Sequence, residues 1–142
     1  MDALRYLLDT NILSALIRQP QGSVAAILAR RGYGAVCTSI VVAAELRFGA
    51  RKLGSDALTR KVDDLLATLP VLPLEADADL TYAEIRFQLE QAGTPIGPND
   101  LLIAAHAVDL GLTLVTDNVH EFTRVSGLRV ENWLDNSAFA SQ

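Results

Sequence analysis

The stretch RYLLDTNILSAL, Arg5 to Leu16, passes from a short apolar run through an acid and two polar residues into a second apolar run. Leu4–Leu8 has the length and composition of a buried strand. Asn11–Arg18 carries apolar residues at helical spacing until Pro20 and Gly22 stop it. A strand that hands over directly to a helix begins an α/β unit, and Asp9 stands at the joint. Two readings of Asp9 compete. It can cap the helix, a job open also to Thr10 and Asn11, or it can sit at a strand end because chemistry happens there.

Outward from this joint the same alternation continues. Ser23–Arg31 reads as a helix stopped by Gly32 and Gly34, Ala35–Thr38 as a second strand, and Ser39 as the cap of a helix from Ile40 to about Lys52. Asp56–Leu69 is helical, and Pro70 and Pro73 bracket a short extended piece, Val71–Leu74. A long amphipathic helix, Ala76–Ala92, ends at Gly93. After the turn GTPIGP comes a strongly apolar helix, Asn99–Leu110, closed by Gly111. Leu112–Thr116 reads as a strand, Val119–Arg124 as a short helix and Leu128–Glu131 as a last strand. Without repeats or a long linker, this pattern predicts one α/β domain on a mostly parallel sheet, spanning residues 1–135, with a frayed tail at 136–142. Sites in such sheets lie beyond the carboxyl ends of the strands.

The bulk numbers agree. At 142 residues the chain suits one domain with a real core, and half of it is hydrophobic. It has no apolar run long enough to cross a bilayer and no basic leader with a cleavage site. The single cysteine, Cys37, excludes an internal disulfide framework and fits a reducing cytoplasm. A net charge of −5 argues against a passive nucleic-acid-binding module, though not against an enzyme whose bound cations offset acidic ligands. GxGxxG, the P-loop pattern and paired CxxC motifs are all missing, which removes the support for dinucleotide or nucleoside-triphosphate binding.

Four acids stand out. Glu45 has Val41, Val42, Phe48 and Gly49 as its helical neighbours, so no cation on its own helix pairs with it; the bland alternative is a Glu snorkelling from the edge of an apolar stripe. Asp100, near Ile96, Gly97, Ile103 and Ala104, repeats the pattern, although an acid in a first helical turn after Pro98 is also favoured by the helix dipole. Asp117 follows LTLVT at a strand end. Asn118 and Glu121 have capping-box spacing, which leaves Asp117 without a structural job. With Asp9 these acids can converge on one rim. Carboxylates gathered without histidine or thiol repel one another unless hard cations sit between them, and oxygen-only ligation suits Mg²⁺ or Mn²⁺ rather than Zn²⁺. Such a centre points to phosphodiester hydrolysis.

LLDTN, AAELRFGA, GPNDLLIAAHA and LVTDNVHEF, followed by GLRVENW, resemble in order the motifs of PIN-domain ribonucleases, in particular VapC-type toxins of bacterial toxin–antitoxin pairs. The resemblance implies an α/β/α sandwich around a parallel sheet, RNA cleavage dependent on Mg²⁺ or Mn²⁺, with tRNA or another structured RNA as substrate, and a homodimer. It also implies inhibition by a small DNA-binding antitoxin, through which alone operator DNA would be reached. Asp9, Glu45, Asp100 and Asp117 match the family's acidic quartet. Asp9 and Asp100 are expected as the most direct metal ligands, Glu45 and Asp117 as ligands directly or through water, and Asn11 and Thr116 as polar supports.

His106, among Leu102, Ile103 and Leu110, reads as a packed structural residue and not a general base; His120 lies on a polar surface stretch. Arg47, Arg51 and Lys52 share the helix of Glu45. They are either a solvated helix end or contacts to RNA phosphates. Apolar positions in Ala57–Leu69 and Val24–Leu28 are read mostly as core, with any excess available as a groove for an antitoxin helix. Two rivals stay open at the level of sequence. One is a catalytically silent PIN-like partner of a DNA-bound antitoxin; the other is a metal-dependent phosphoesterase acting on DNA or small phosphate esters.

Overall fold

A computed structural model describes residues 3–134. The tail assigned to 136–142 lies outside them. Strand β1 (Tyr6–Leu8) leads into helices α1 (Thr10–Arg18) and α2 (Ser23–Arg31), and a single 3-10 turn at Tyr33–Ala35 precedes β2 (Val36–Ser39). Helices α3 (Ile40–Leu53) and α4 (Asp56–Leu66) connect to β3 (Val71–Leu72), and α5 (Ala78–Gln91) and α6 (Pro98–Leu110) to β4 (Thr113–Val115). The short α7 (Val119–Phe122) returns to β5 (Val130–Glu131).

Every expected element is present in the expected order, but the ends differ. The first strand is two residues shorter than Leu4–Leu8 because only Tyr6–Leu8 is wholly enclosed between neighbouring strands. The helix expected to start at Asn11 begins one residue earlier. The one expected to reach Leu69 stops at Leu66, where Ala67 and Thr68 fold into a turn through the carbonyls of Asp63 and Leu65. Ser39 caps α3 as expected: its Oγ accepts the Val41 N–H at 3.1 Å. Helix α6 starts on Pro98, whose missing N–H is no loss in a first turn, and Gly111 ends it at φ 69° in the left-handed region.

The strands form one parallel five-stranded sheet in the order β3-β2-β1-β4-β5. The chain therefore builds outward from β1 in one direction and then crosses back to add β4 on its other side. The crevice between the ends of β1 and β4 is the topological switch point, the place where such sheets bind ligands. The paired register Leu8↔Val115 puts Asp9 and Thr116 opposite each other just beyond it. The core is continuous around β1, β2 and β4. Leu7, Leu8, Ile12, Leu13, Ile103 and Leu114 are fully buried, and Trp133 packs edge-on against Tyr6 with ring centroids 5.1 Å apart. Cys37 is buried there too, and burial pushes its thiol up to about 11, which leaves it unreactive. Among the described residues no helix is long and apolar enough to cross a membrane.

Candidate active site

Asp9 is the N-cap residue of α1. Its backbone is extended, and its Oδ1 accepts the Thr10 N–H at 2.7 Å. Capping and site geometry are thus not alternatives here, because the second oxygen, Oδ2, accepts the Thr116 hydroxyl at 2.8 Å across the switch-point crevice. Thr116 in turn accepts the Asn118 N–H at 3.0 Å, which fixes its hydroxyl proton toward Asp9. Asp9 is only 4 % exposed and among the described residues forms no salt bridge. Burial pushes its pKa up. The bonds from Thr116 and Thr10 oppose that, and the charges of Glu45 and Glu121 add to it.

Glu45, half-buried on α3, is held from two sides. Its Oε1 accepts the Thr10 hydroxyl in a short bond, and its Oε2 accepts the Asn99 amide at 3.1 Å. The apolar stripe expected around it is only partly realised: Val42 is core, whereas Phe48 is exposed, so the Glu45 side of α3 forms a cleft wall. Asp100 projects from the first turn of α6. Its pKa is raised to about 8, by burial first and then by the neighbouring acids Glu121, Asp9 and Glu45. Asp117 is exposed. Its N–H donates to Asn11 Oδ1 at 3.0 Å, and its Oδ1 accepts the Asn132 amide at 3.1 Å. Asn11 and Thr116 therefore both contact the strand-end acids.

The four acids line one open cleft of about 760 Å³ at the carboxyl ends of β1, β2 and β4. Several of its working groups were not legible in sequence. Glu121 was assigned a capping box with Asn118, and that reading is corrected. Asn118 makes no side-chain cap; its amide donates to Glu121 Oε1 at 3.0 Å, while the Glu121 carboxyl turns to Asp100. Neighbouring carboxylates disfavour each other's ionisation, and with burial this raises Asp100, while Glu121 is lowered by its contacts to Asp100 and Asn118. The cation on the cleft wall is Arg18 of α1. Its spacing from Asn11 and Ser14, seven and four residues, was the available signal. Arg47 is instead ion-paired with Asp63 of α4, and Arg51 and Lys52 stand exposed in the last turn of α3, beyond the residues that line the cleft. His106 is fully buried, its Nδ1 2.8 Å from Ser39 Oγ, and burial lowers its pKa, in keeping with a structural role.

The donor set can be tested against a metal ion. Among the described residues no three Asp, Glu, His or Cys side chains are grouped tightly enough to hold an ion between them as they stand. Mg²⁺, however, keeps several waters and needs only one or two carboxylates from the protein. An all-oxygen donor set, with Asp9 buried and Asp100 raised by burial and its acidic neighbours, matches the chemistry of a hard divalent cation. The residues fit such an ion.

Residues 6–128 match the PIN domain family. The chain is 38 % identical over 130 residues to a protein named Ribonuclease VapC2 from Rickettsia felis, covering 90 % of this chain and 97 % of that one. It is 37 % identical over 131 residues to a Shigella flexneri protein named tRNA(fMet)-specific endonuclease VapC, covering 92 % and 98 %. Among solved structures, VapBC2 of Rickettsia felis bound to a DNA fragment from its promoter superposes with a TM-score of 0.84 at 36 % identity, over 92 % of this chain and 99 % of that one. Matched nearly end to end in both sequence and fold, the chain belongs to the PIN-domain family, among its VapC members.

Proposed function

We propose that this chain is a divalent-metal-dependent endoribonuclease that hydrolyses phosphodiester bonds in RNA, and that it is the toxin of a toxin–antitoxin pair. The observation that carries the reading is Asp9, almost wholly buried at the sheet's switch point, which shares one cleft with Glu45, Asp100 and Asp117 and among the described residues forms no salt bridge. Asp9 and Asp100 are the most direct ligands for Mg²⁺ or Mn²⁺, with Glu45 and Asp117 contributing directly or through water. When bound, the ion supplies charge neutralisation of the phosphate and a more acidic water. The chain's own residues do the rest. Thr116 and the Thr10 N–H fix Asp9; Thr10 and Asn99 fix Glu45; Asn11 and Asn132 fix the Asp117 segment; Glu121 stands beside Asp100 and helps raise its pKa.

The relatives' names support RNA as substrate, tRNA among the candidates, and the DNA-bound VapBC complex supports an antitoxin partner, through which we take operator DNA to be reached. An apolar groove of about 350 Å³, lined by Ile17, Leu46, Leu53, Leu58 and Val62, runs beside the cleft and fits an amphipathic antitoxin helix. Val24 and Leu28 are core. Leu80 and Phe87, exposed on α5, support a homodimer, and the reduced, buried Cys37 suits the cytoplasm. We take residues 1–135 as one domain.

Purified protein incubated with total RNA and Mg²⁺ should cleave it. EDTA, Asp9→Asn or Asp100→Asn should abolish cleavage with the circular-dichroism spectrum unchanged. Cleavage undiminished in EDTA or in either variant overturns the metal-centred reading. Expression should arrest growth, and the product of a small neighbouring gene should relieve it; growth without arrest overturns the toxin assignment.

A further inference from the structure

Two groups on the cleft walls have no part in holding the acids. Phe48 is 66 % exposed and lines the cleft three residues after Glu45, so both project from the same side of α3. Arg18 ends α1, is exposed on its polar side with Asn11 and Ser14, and lines the same cleft. Among the described residues the ion-paired arginines are Arg31, Arg47 and Arg86, and Arg18 takes part in no salt bridge. One bare aromatic face and one unpaired guanidinium therefore flank a bed of carboxylates.

That combination selects its ligand. A chain of net charge −5 with an acidic cleft repels a polyanion unless a local cation offers a phosphate contact, and Arg18 is placed to do so. A phenyl ring in water beside that cation suits a flat apolar partner, and nucleobases offer one only when they are not already stacked inside a duplex. We infer that Arg18 and Phe48 form a reader for single-stranded RNA, with Arg18 binding a backbone phosphate and Phe48 stacking an unpaired base next to the scissile bond. The inference rests on the ribonuclease reading and adds to it the two residues that hold the strand against the acids.

Fluorescence anisotropy in EDTA tests this apart from cleavage. The probe is a labelled RNA oligonucleotide, single-stranded or annealed to its complement, and the proteins are the wild-type chain and the Phe48→Ala, Phe48→Trp, Arg18→Ala and Arg18→Lys variants. The single strand should bind at least about ten-fold tighter than the duplex. Phe48→Ala should lose roughly ten-fold for the single strand alone, and Phe48→Trp should retain it. Arg18→Ala should lower the slope of log affinity against log salt by about 0.7, and Arg18→Lys should keep that slope. With Mg²⁺ present, both alanine variants should raise KM more than they lower kcat. Equal affinity for strand and duplex overturns the inference, and so does unchanged binding in Phe48→Ala and Arg18→Ala. A Phe48→Ala chain that shifts only its oligomeric state in sedimentation overturns it as well, in favour of a contact between copies. RNA bound through both residues but never cut leaves the reader standing and overturns the ribonuclease reading; RNA cut equally by all variants does the reverse.

Discussion

The raised pKa of Asp100, caused by burial and the neighbouring acids, gives the site a definite pH signature in stability. Asp100 titrates near 8 in the folded chain against an ordinary value of 3.8. Between those values the folded state binds the proton more tightly than the unfolded state. Stability therefore falls as pH rises from about 4 to about 8 and levels off beyond. Asp100→Asn keeps a donor for Glu121 and removes the charge. In thermal melts with EDTA it should be more stable than wild type at pH 8, on the order of 1 kcal/mol once the half-exposed position is discounted, with the gain vanishing toward pH 4. Added Mg²⁺ should raise the wild-type melting temperature and leave the variant's almost unmoved. At this scale the acids were legible because Glu45 and Asp100 lack cations at helical spacing. Glu121 was not: three residues past Asn118 it looks like a capping partner, and only the approach of α6 turns its carboxyl elsewhere.

Helices α3 and α6 carry Glu45, Asn99 and Asp100, and the cleft requires that they hold one register. The buried contact between Ser39 Oγ and His106 Nδ1 ties the N-terminus of α3 to the middle of α6, while the same Ser39 oxygen caps α3. Ser39→Ala should cost about 1–3 kcal/mol, combining a lost cap with an imidazole left unpaired in the core. The size is read from urea titrations with the slope unchanged. His106→Phe alone should cost more than His106→Phe made in the Ser39→Ala background, because in the double variant neither polar group is orphaned. The cap was readable from Ser39 before an apolar helix. The tie was not, since 67 residues separate the pair in the chain.

At the scale of the whole sheet, β1 is covered by the segment that carries Trp133. Trp133, 2 % exposed, packs on Tyr6 of β1, and its indole N–H donates to Glu131 at 3.0 Å. Trp133→Ala should cost about 3–5 kcal/mol and lower the single unfolding transition as a unit, with no early local step in tryptophan-independent probes. The β-α alternation and caps such as Ser39 are local properties, set by residues within a few positions of one another, and sequence alone determined them along with the presence of the four candidate acids. Strand order is different. It depends on which apolar faces bury each other across the whole chain, and only the tertiary structure placed β1 between β2 and β4. That one choice puts Asp9 opposite Thr116, brings Glu121 to Asp100 and sets Arg18 and Phe48 on the cleft walls. Each brings together residues far apart in the chain, which no local pattern encodes.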